Sequence, residues 1–405
     1  MVRRIPQDPI VRDLVAMVRQ AQFNRRALLR GGAVVGAGAG ALALSACAGG
    51  GGAAVDQGDG SAGNIVWGNW TYYLDFDEET GTFPTLDAFM AGTNISVEYI
   101  EDIDDNNTFY GKIKDQLALG QFTGYDTITF TDWMNGRLIQ EGLIQELDRA
   151  KMPNTKNLLP SLENSLDVDP GRRFTMPWQA PASGFVWNTE AVPNGIKTLD
   201  DFLRPELKGK VGVLTEMRDT MGVIMSAQGV DVEGDWGDAQ FDAALQWLDD
   251  AIKSGQVTQV KGNSYTQDLE TDTTLAAIAW TGDIAILNAE QGDRWTLEVP
   301  ESGGMITADS FTVPNGTSPE NKALVEELIN YYYEPEVAAQ VADYVWFVTP
   351  VSGAQEAMER VNPDQVNNPL IFPDDEMNAR LHGFRTLTPQ EDKKYTDAFN
   401  KVLGL

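Results

Sequence analysis

After residue 63 the apolar positions alternate between two spacings. Asn64-Ile65-Val66-Trp67-Gly68-Asn69-Trp70 is a short apolar run cut off by glycine and asparagine, which predicts a first strand. Phe83, Leu86, Phe89 and Met90 then follow at helical spacing. Ile95, Val97 and Tyr99 alternate with polar residues, and Phe109, Ile113 and Leu117 fall on one helical face. A further strand over Tyr125 to Phe130 leads through Thr131-Asp132-Trp133 into a helix carrying Leu138 and Ile139. A second set starts beyond Met176-Pro177-Trp178-Gln179. It has strands at Gly184–Trp187, over Gly209 to Leu214 and over Leu275 to Trp280, with a helix from about Arg218 and another after Thr281-Gly282-Asp283. Alternating strands and helices of this kind build parallel-sheet α/β layers, and two sets predict two lobes. No unit of 20–50 residues repeats.

The chain before this region has a different character. Phe23-Asn24-Arg25-Arg26-Ala27-Leu28-Leu29-Arg30 precedes a small, apolar run that ends in Leu44-Ser45-Ala46-Cys47. Paired arginines ahead of a short apolar stretch form a twin-arginine export signal, too short to stay as a membrane span. The small residues before the only cysteine resemble a bacterial lipobox, which predicts cleavage after residue 46 and lipidation of Cys47. Residues 47–63 then read as a flexible glycine-rich tether, because they offer no apolar surface to a core. Acyl chains on Cys47 would hold the exported protein at the periplasmic or cell-surface face of the cytoplasmic membrane without a spanning helix.

The first 46 residues hold seven arginines and two aspartates of the chain's 30 basic and 60 acidic residues. What remains is 359 residues with 23 basic and 58 acidic side chains, a formal charge of −35. That length exceeds what one core usually organises. The charge argues against nucleic acid as a partner and draws cations toward any acidic cleft. A single cysteine excludes an internal disulfide and multi-cysteine metal clusters. His382 is the only histidine and reads as a solvated residue in a C-terminal helical stretch. Nucleophile-elbow, phosphate-loop and zinc-helix motifs are missing from the sequence, so no catalytic residue, metal site or cofactor is expected.

Trp70, Trp133, Glu216, Trp280 and Asp283 share a position, each at or just past the C-terminal end of a predicted strand. Ligands of open α/β sheets bind outside those ends, so side chains from distant segments can meet in one cleft. Indole faces and carboxylates together suit an alkylammonium ion. Glu216 and Asp219 stand three apart at a strand-to-helix junction, where a helix N-terminus is expected to keep both ionised at neutral pH.

At these residues the chain resembles the spermidine/putrescine-binding proteins of bacterial ABC importers, from Asn64 to about Leu405. The resemblance is carried by Gly68-Asn69-Trp70-Thr71-Tyr72-Tyr73, the segments over 109–114 and 138–148, Met176-Pro177-Trp178, Leu214-Thr215-Glu216-Met217-Arg218-Asp219-Thr220, Ala279-Trp280-Thr281-Gly282, Gly303-Gly304 with Asp309-Ser310, and Val348-Thr349-Pro350. It implies a two-lobed periplasmic-binding-protein fold of the second type. One lobe would comprise 64–180 and 309–352, the other 184–306 and 355–405, with a ligand cleft between them at a hinge. It also implies an aromatic box of Trp70, Tyr73, Trp133 and Trp280, ammonium acceptors at Glu216, Asp219 and Asp309, and a hydroxyl contact from Thr131. Thr307 and Phe347 stand where the family has a tryptophan and a tyrosine, so the cage is reshaped and putrescine and spermidine are not distinguished. Asp132 and Asp283 are two further carboxylates near the cleft.

The resulting expectation is an exported lipoprotein, monomeric, that delivers a polyamine to a membrane permease. Two other readings stay open. One is the same fold binding ferric ion or another small cation, for which Tyr331-Tyr332-Tyr333 would be the ligands, although their apolar-periodic helix favours a core. The other is a glycan hydrolase using an Asp/Glu pair.

Overall fold

The computed structural model describes residues 63–405. The twin-arginine segment, Cys47 and almost all of the glycine-rich tether lie outside the described residues. Among the described residues twelve strands follow in chain order: β1 (Gly63–Trp70), β2 (Ile95–Ile103), β3 (Thr127–Thr131), β4 (Thr175–Gln179), β5 (Ser183–Asn188), β6 (Val211–Leu214), β7 (Val257–Lys261), β8 (Ala276–Trp280), β9 (Trp295–Glu298), β10 (Gly304–Met305), β11 (Asp309–Thr312) and β12 (Leu381–His382). They form two five-stranded sheets ordered β2-β1-β3-β11-β4 and β7-β6-β8-β5-β9, with β10 and β12 as a separate pair.

The two sheets repeat one plan. In the first, β1 runs parallel to β2 and β3, and β11 returns antiparallel between β3 and β4. In the second, β6 runs parallel to β7 and β8, and β5 lies antiparallel between β8 and β9. Every residue of β3, β5, β6, β8 and β11 is buried, as expected of strands covered on both faces. Three of the four outer strands differ: β2 opens with alternating buried and exposed residues, and β7 and β9 bury only their first residue fully, whereas the outer β4 is buried throughout.

The periodicity reading misses β4, β7, β9, β10, β11 and β12, and for two of these the reason is identifiable. β4 contains Pro177, which cannot donate to a ladder and is tolerated because β4 is the sheet's outermost strand. β11 reads Asp-Ser-Phe-Thr, a polar pattern typical of a loop, yet all four residues are buried. His382 is likewise corrected: it lies in β12, paired with Met305 of β10, and not in a helix. The helices otherwise start where local chemistry directs. Asp105 caps helix Asn106–Ala118 by accepting from the Thr108 N–H, and Thr388 and Glu391 form a reciprocal cap on helix Pro389–Leu403.

The chain passes between the sheets at Ala180–Ala182 and again at Ile306–Ala308, and these segments lie side by side. Ala182 bridges Ile306, and Ala180 exchanges backbone hydrogen bonds with Val348 at 2.9 and 3.2 Å. Among the described residues no helix is long and apolar enough to cross a membrane.

Candidate functional site

Trp70 ends β1, Thr131 ends β3 and Trp280 ends β8, so three strand ends from two sheets point at one region. Asp219 and Asp283 come from the first turns of helices Met217–Ala227 and Thr281–Gln291, and Asp309 opens β11. The indoles of Trp70 and Trp280 meet edge to face, with centroids 6.2 Å apart. Each is held by its own ring nitrogen: Trp70 Nε1 donates to the Thr129 carbonyl at 3.0 Å, and Trp280 Nε1 donates to Asp219 Oδ1 at 3.1 Å. Tyr73 and Phe347 meet edge to face at 5.2 Å. Phe347 comes this close only because residue 282 is glycine. A Cβ at 282 would stand 1.9 Å from the Val345 carbonyl oxygen and 2.7 Å from the Phe347 ring.

The carboxylates are fixed by hydroxyls, amides and an indole. Asp309 accepts from Tyr73 Oη and from Thr131 Oγ1, both at 2.6 Å. Asp283 accepts from Asn263 Nδ2 and Tyr265 Oη, both at 2.9 Å, and Tyr265 Oη in turn accepts from the Trp280 N–H. Asp219, Asp283, Asp309 and Glu216 are all buried, and among the described residues no lysine or arginine forms an ion pair with any of them. Burial therefore dominates. It pushes Asp219 up to about 6, Asp283 and Asp309 up to about 7, and Glu216 up to about 8, against the hydrogen bonds that favour ionisation. Burial and the neighbouring Asp309 also raise the Tyr73 hydroxyl well above its ordinary value. Asp283 acts on Tyr73, and Asp219 on Asp309, so these acids share one electrostatic neighbourhood.

One expectation is overturned here. A helix N-terminus does not keep Glu216 ionised at neutral pH, because desolvation of an enclosed carboxylate outweighs the dipole of one helix end, whereas Asp219, pushed up only to about 6, stays mostly ionised there.

Trp133 is half-buried. The Arg218 guanidinium lies 4.2 Å from its ring centroid and that of Arg137 at 5.8 Å. Both arginines reach Asp392, at 2.8 and 2.7 Å. Burial pushes Asp392 up, but the two guanidinium groups outweigh it and hold the carboxyl below its ordinary range. Asp132 is also paired, bidentate to the fully buried Arg172 at 2.7 and 3.0 Å. A cleft of about 1490 Å³ opens beside this corner. Of the candidate site residues singled out from the sequence it reaches Asp132, Trp133, Asp219 and Thr307.

Three neighbours of the site carry no motif: Asn106, Asn263 and Tyr265. A helix-opening Asp105-Asn106 pair is a cap signal and nothing more, and the asparagine and tyrosine after β7 sit in a short 3₁₀ turn. The tyrosine run packs inward. Tyr331 Oη donates to the Thr85 carbonyl and Tyr333 Oη to the Pro177 carbonyl, while Tyr332 is buried among Trp67 and Trp178. Among the described residues no cluster of three or more His, Cys, Asp or Glu is placed to hold a metal ion.

Comparison with known proteins agrees with this architecture. The family model described as bacterial extracellular solute-binding protein matches residues 85–372. The putrescine-binding periplasmic protein PotF of Escherichia coli is 25% identical over 352 residues, covering 82% of this chain and 90% of the relative. The spermidine/putrescine-binding periplasmic protein of the same organism is 27% identical over 312 residues, covering 76% and 82%. The crystal structure of the TpPotD lipoprotein of Treponema pallidum superposes with a TM-score of 0.68 at 20% identity, covering 84% of this chain and 99% of that one. With a family model spanning most of its length and two sheets built on the same plan, the chain belongs to the bacterial extracellular solute-binding proteins, a family of binding proteins and not of enzymes.

Proposed function

We propose that this protein captures a polyamine of the putrescine/spermidine class outside the cytoplasm and delivers it to an ABC permease. The observation that carries the reading is the convergence of Trp70, Trp280, Tyr73 and Phe347 with Asp219, Asp283 and Asp309, buried acids to which the described chain brings no ion-paired cation. A protonated diamine supplies that charge. Its methylenes lie along the aromatic walls, and its ammonium groups donate to the carboxylates. Two relatives named for putrescine or spermidine binding support the ligand class.

In this reading residues 64–180 with 309–352 form one lobe and 184–306 with 355–405 the other, and the crossings at 180–182 and 306–308 belong to the hinge. The twin-arginine signal exports the chain, and acylation of Cys47 tethers it to the membrane. Calorimetric titration with putrescine, spermidine and spermine tests the ligand: one or more should bind with measurable heat at micromolar protein. No heat with any of them overturns the polyamine assignment. Replacement of Cys47 by serine should release the protein from the membrane fraction.

A further inference from the structure

The turn Asp104–Asn106 connects β2 of the first sheet to helix Asn106–Ala118, yet it also hydrogen-bonds to loops of the second sheet. Asn106 is fully buried. Its Nδ2 donates to Thr131 Oγ1 at 2.9 Å and to Glu216 Oε1 at 2.8 Å, and its backbone N–H donates to the same Glu216 oxygen at 2.8 Å. Two residues earlier, the Asp104 carbonyl accepts from the Asn263 N–H at 2.9 Å, and Asp104 Oδ1 accepts from the Ser264 N–H at 2.7 Å. Glu216 follows β6 and Asn263 follows β7, so one turn grips two neighbouring strand ends across the cleft.

Gly262 marks how close that grip is. A Cβ at 262 would stand 2.1 Å from the Asp104 carbonyl oxygen.

We propose that Asp104–Asn106 is the clasp that holds the two lobes shut, that Asn106 is a positioning residue acting through Glu216, and that Glu216 serves the clasp in place of contacting the amine. The inference rests on the polyamine-binding reading above. The clasp bonds join residues of opposite lobes, as does the Trp70–Trp280 contact. They therefore stabilise the closed form alone and bias the equilibrium by their full strength. Dissociation requires opening and should respond to the clasp, whereas encounter with the open form should not.

Stopped-flow tryptophan fluorescence with putrescine and with spermidine reads both rates. Asn106→Ala and Glu216→Ala are each expected to raise the dissociation rate about tenfold, by the same factor for both amines, with association within about twofold. The double variant should resemble Glu216→Ala, because Asn106→Ala leaves the backbone N–H bond to Glu216 in place. Gly262→Ala should block closure and weaken putrescine by at least about 100-fold, while the circular dichroism and melting of the amine-free protein stay at wild-type values. An unchanged dissociation rate in Asn106→Ala overturns the clasp. So does a changed putrescine-to-spermidine preference in Glu216→Ala that Asn106→Ala does not share, because that assigns Glu216 to the ligand. A wild-type protein that responds to neither amine overturns the polyamine reading itself, an outcome visible before any variant is measured.

Discussion

Two corners of this molecule are built from the same parts and do opposite things with them. At one, Trp70 and Trp280 stand beside Asp219, Asp283 and Asp309, and the acids are buried with hydroxyl, amide and indole donors only. At the other, Trp133 stands beside Asp392, and the chain itself supplies Arg218 and Arg137. The carboxyls of the first corner are pushed up toward neutrality, and that of the second is held down. An indole and a carboxylate thus do not define a cation site. What matters is whether the protein has already provided the cation.

The comparison breaks most sharply at Asp309. Asp309→Ala removes the acceptor shared by Tyr73 and Thr131 and, in the proposed cage, one ammonium partner. Loss of such charge-assisted bonds should cost about 3 kcal/mol of putrescine binding, measured by calorimetry. An affinity within threefold of wild type would place the amine elsewhere. Trp280→Ala removes a wall of the cage and the donor to Asp219. It should weaken binding by about 1–3 kcal/mol, while a wall with no ligand role would show only the stability loss of about 3–5 kcal/mol typical of a truncated buried aromatic.

Acidity sharpens the same contrast. Asp219, Asp283 and Asp309 titrate higher in the folded protein than their ordinary 3.8, at about 6, 7 and 7. The folded state then binds more protons than the unfolded one. Stability of the amine-free protein should decline as pH rises from about 4 through 7. A bound dication favours the ionised acids and offsets that decline, so the putrescine-induced rise in Tm should grow from pH 5 to pH 8. A flat profile across that window would show that these acids do not face the amine. Asp392, held below the ordinary range, adds nothing to this window: its stabilisation is lost only on further acidification. The smallest effect is expected from Asp392→Asn, which should lower stability by about 1 kcal/mol and leave putrescine affinity within about threefold.

Much of the fold was legible because its signal is local. Apolar runs such as 65–70, 211–214 and 276–280 are strands because they are short, bounded by polar or glycine residues and buried on both faces. β4 and β11 were not, since Pro177 and the polar Asp309-Ser310 become strand residues only through neighbours supplied from elsewhere in the chain. Glu216 is the corresponding case within the site. Its place after a strand and before a helix could be read directly, but its partner is Asn106, 110 residues away.

By itself the sequence determined the acidic balance, the α/β alternation and the set of aromatic and acidic residues at strand ends. These depend on composition and on spacings of a few residues, which the chain carries wherever it folds. Only the tertiary structure decided which of those residues meet. It joined Trp70 to Trp280, occupied Trp133 with Arg218, paired Asp132 with Arg172 and turned Glu216 toward Asn106. Pairing and desolvation are properties of groups brought together in space, and they decide whether a carboxylate is left for a cation from outside or is satisfied from within.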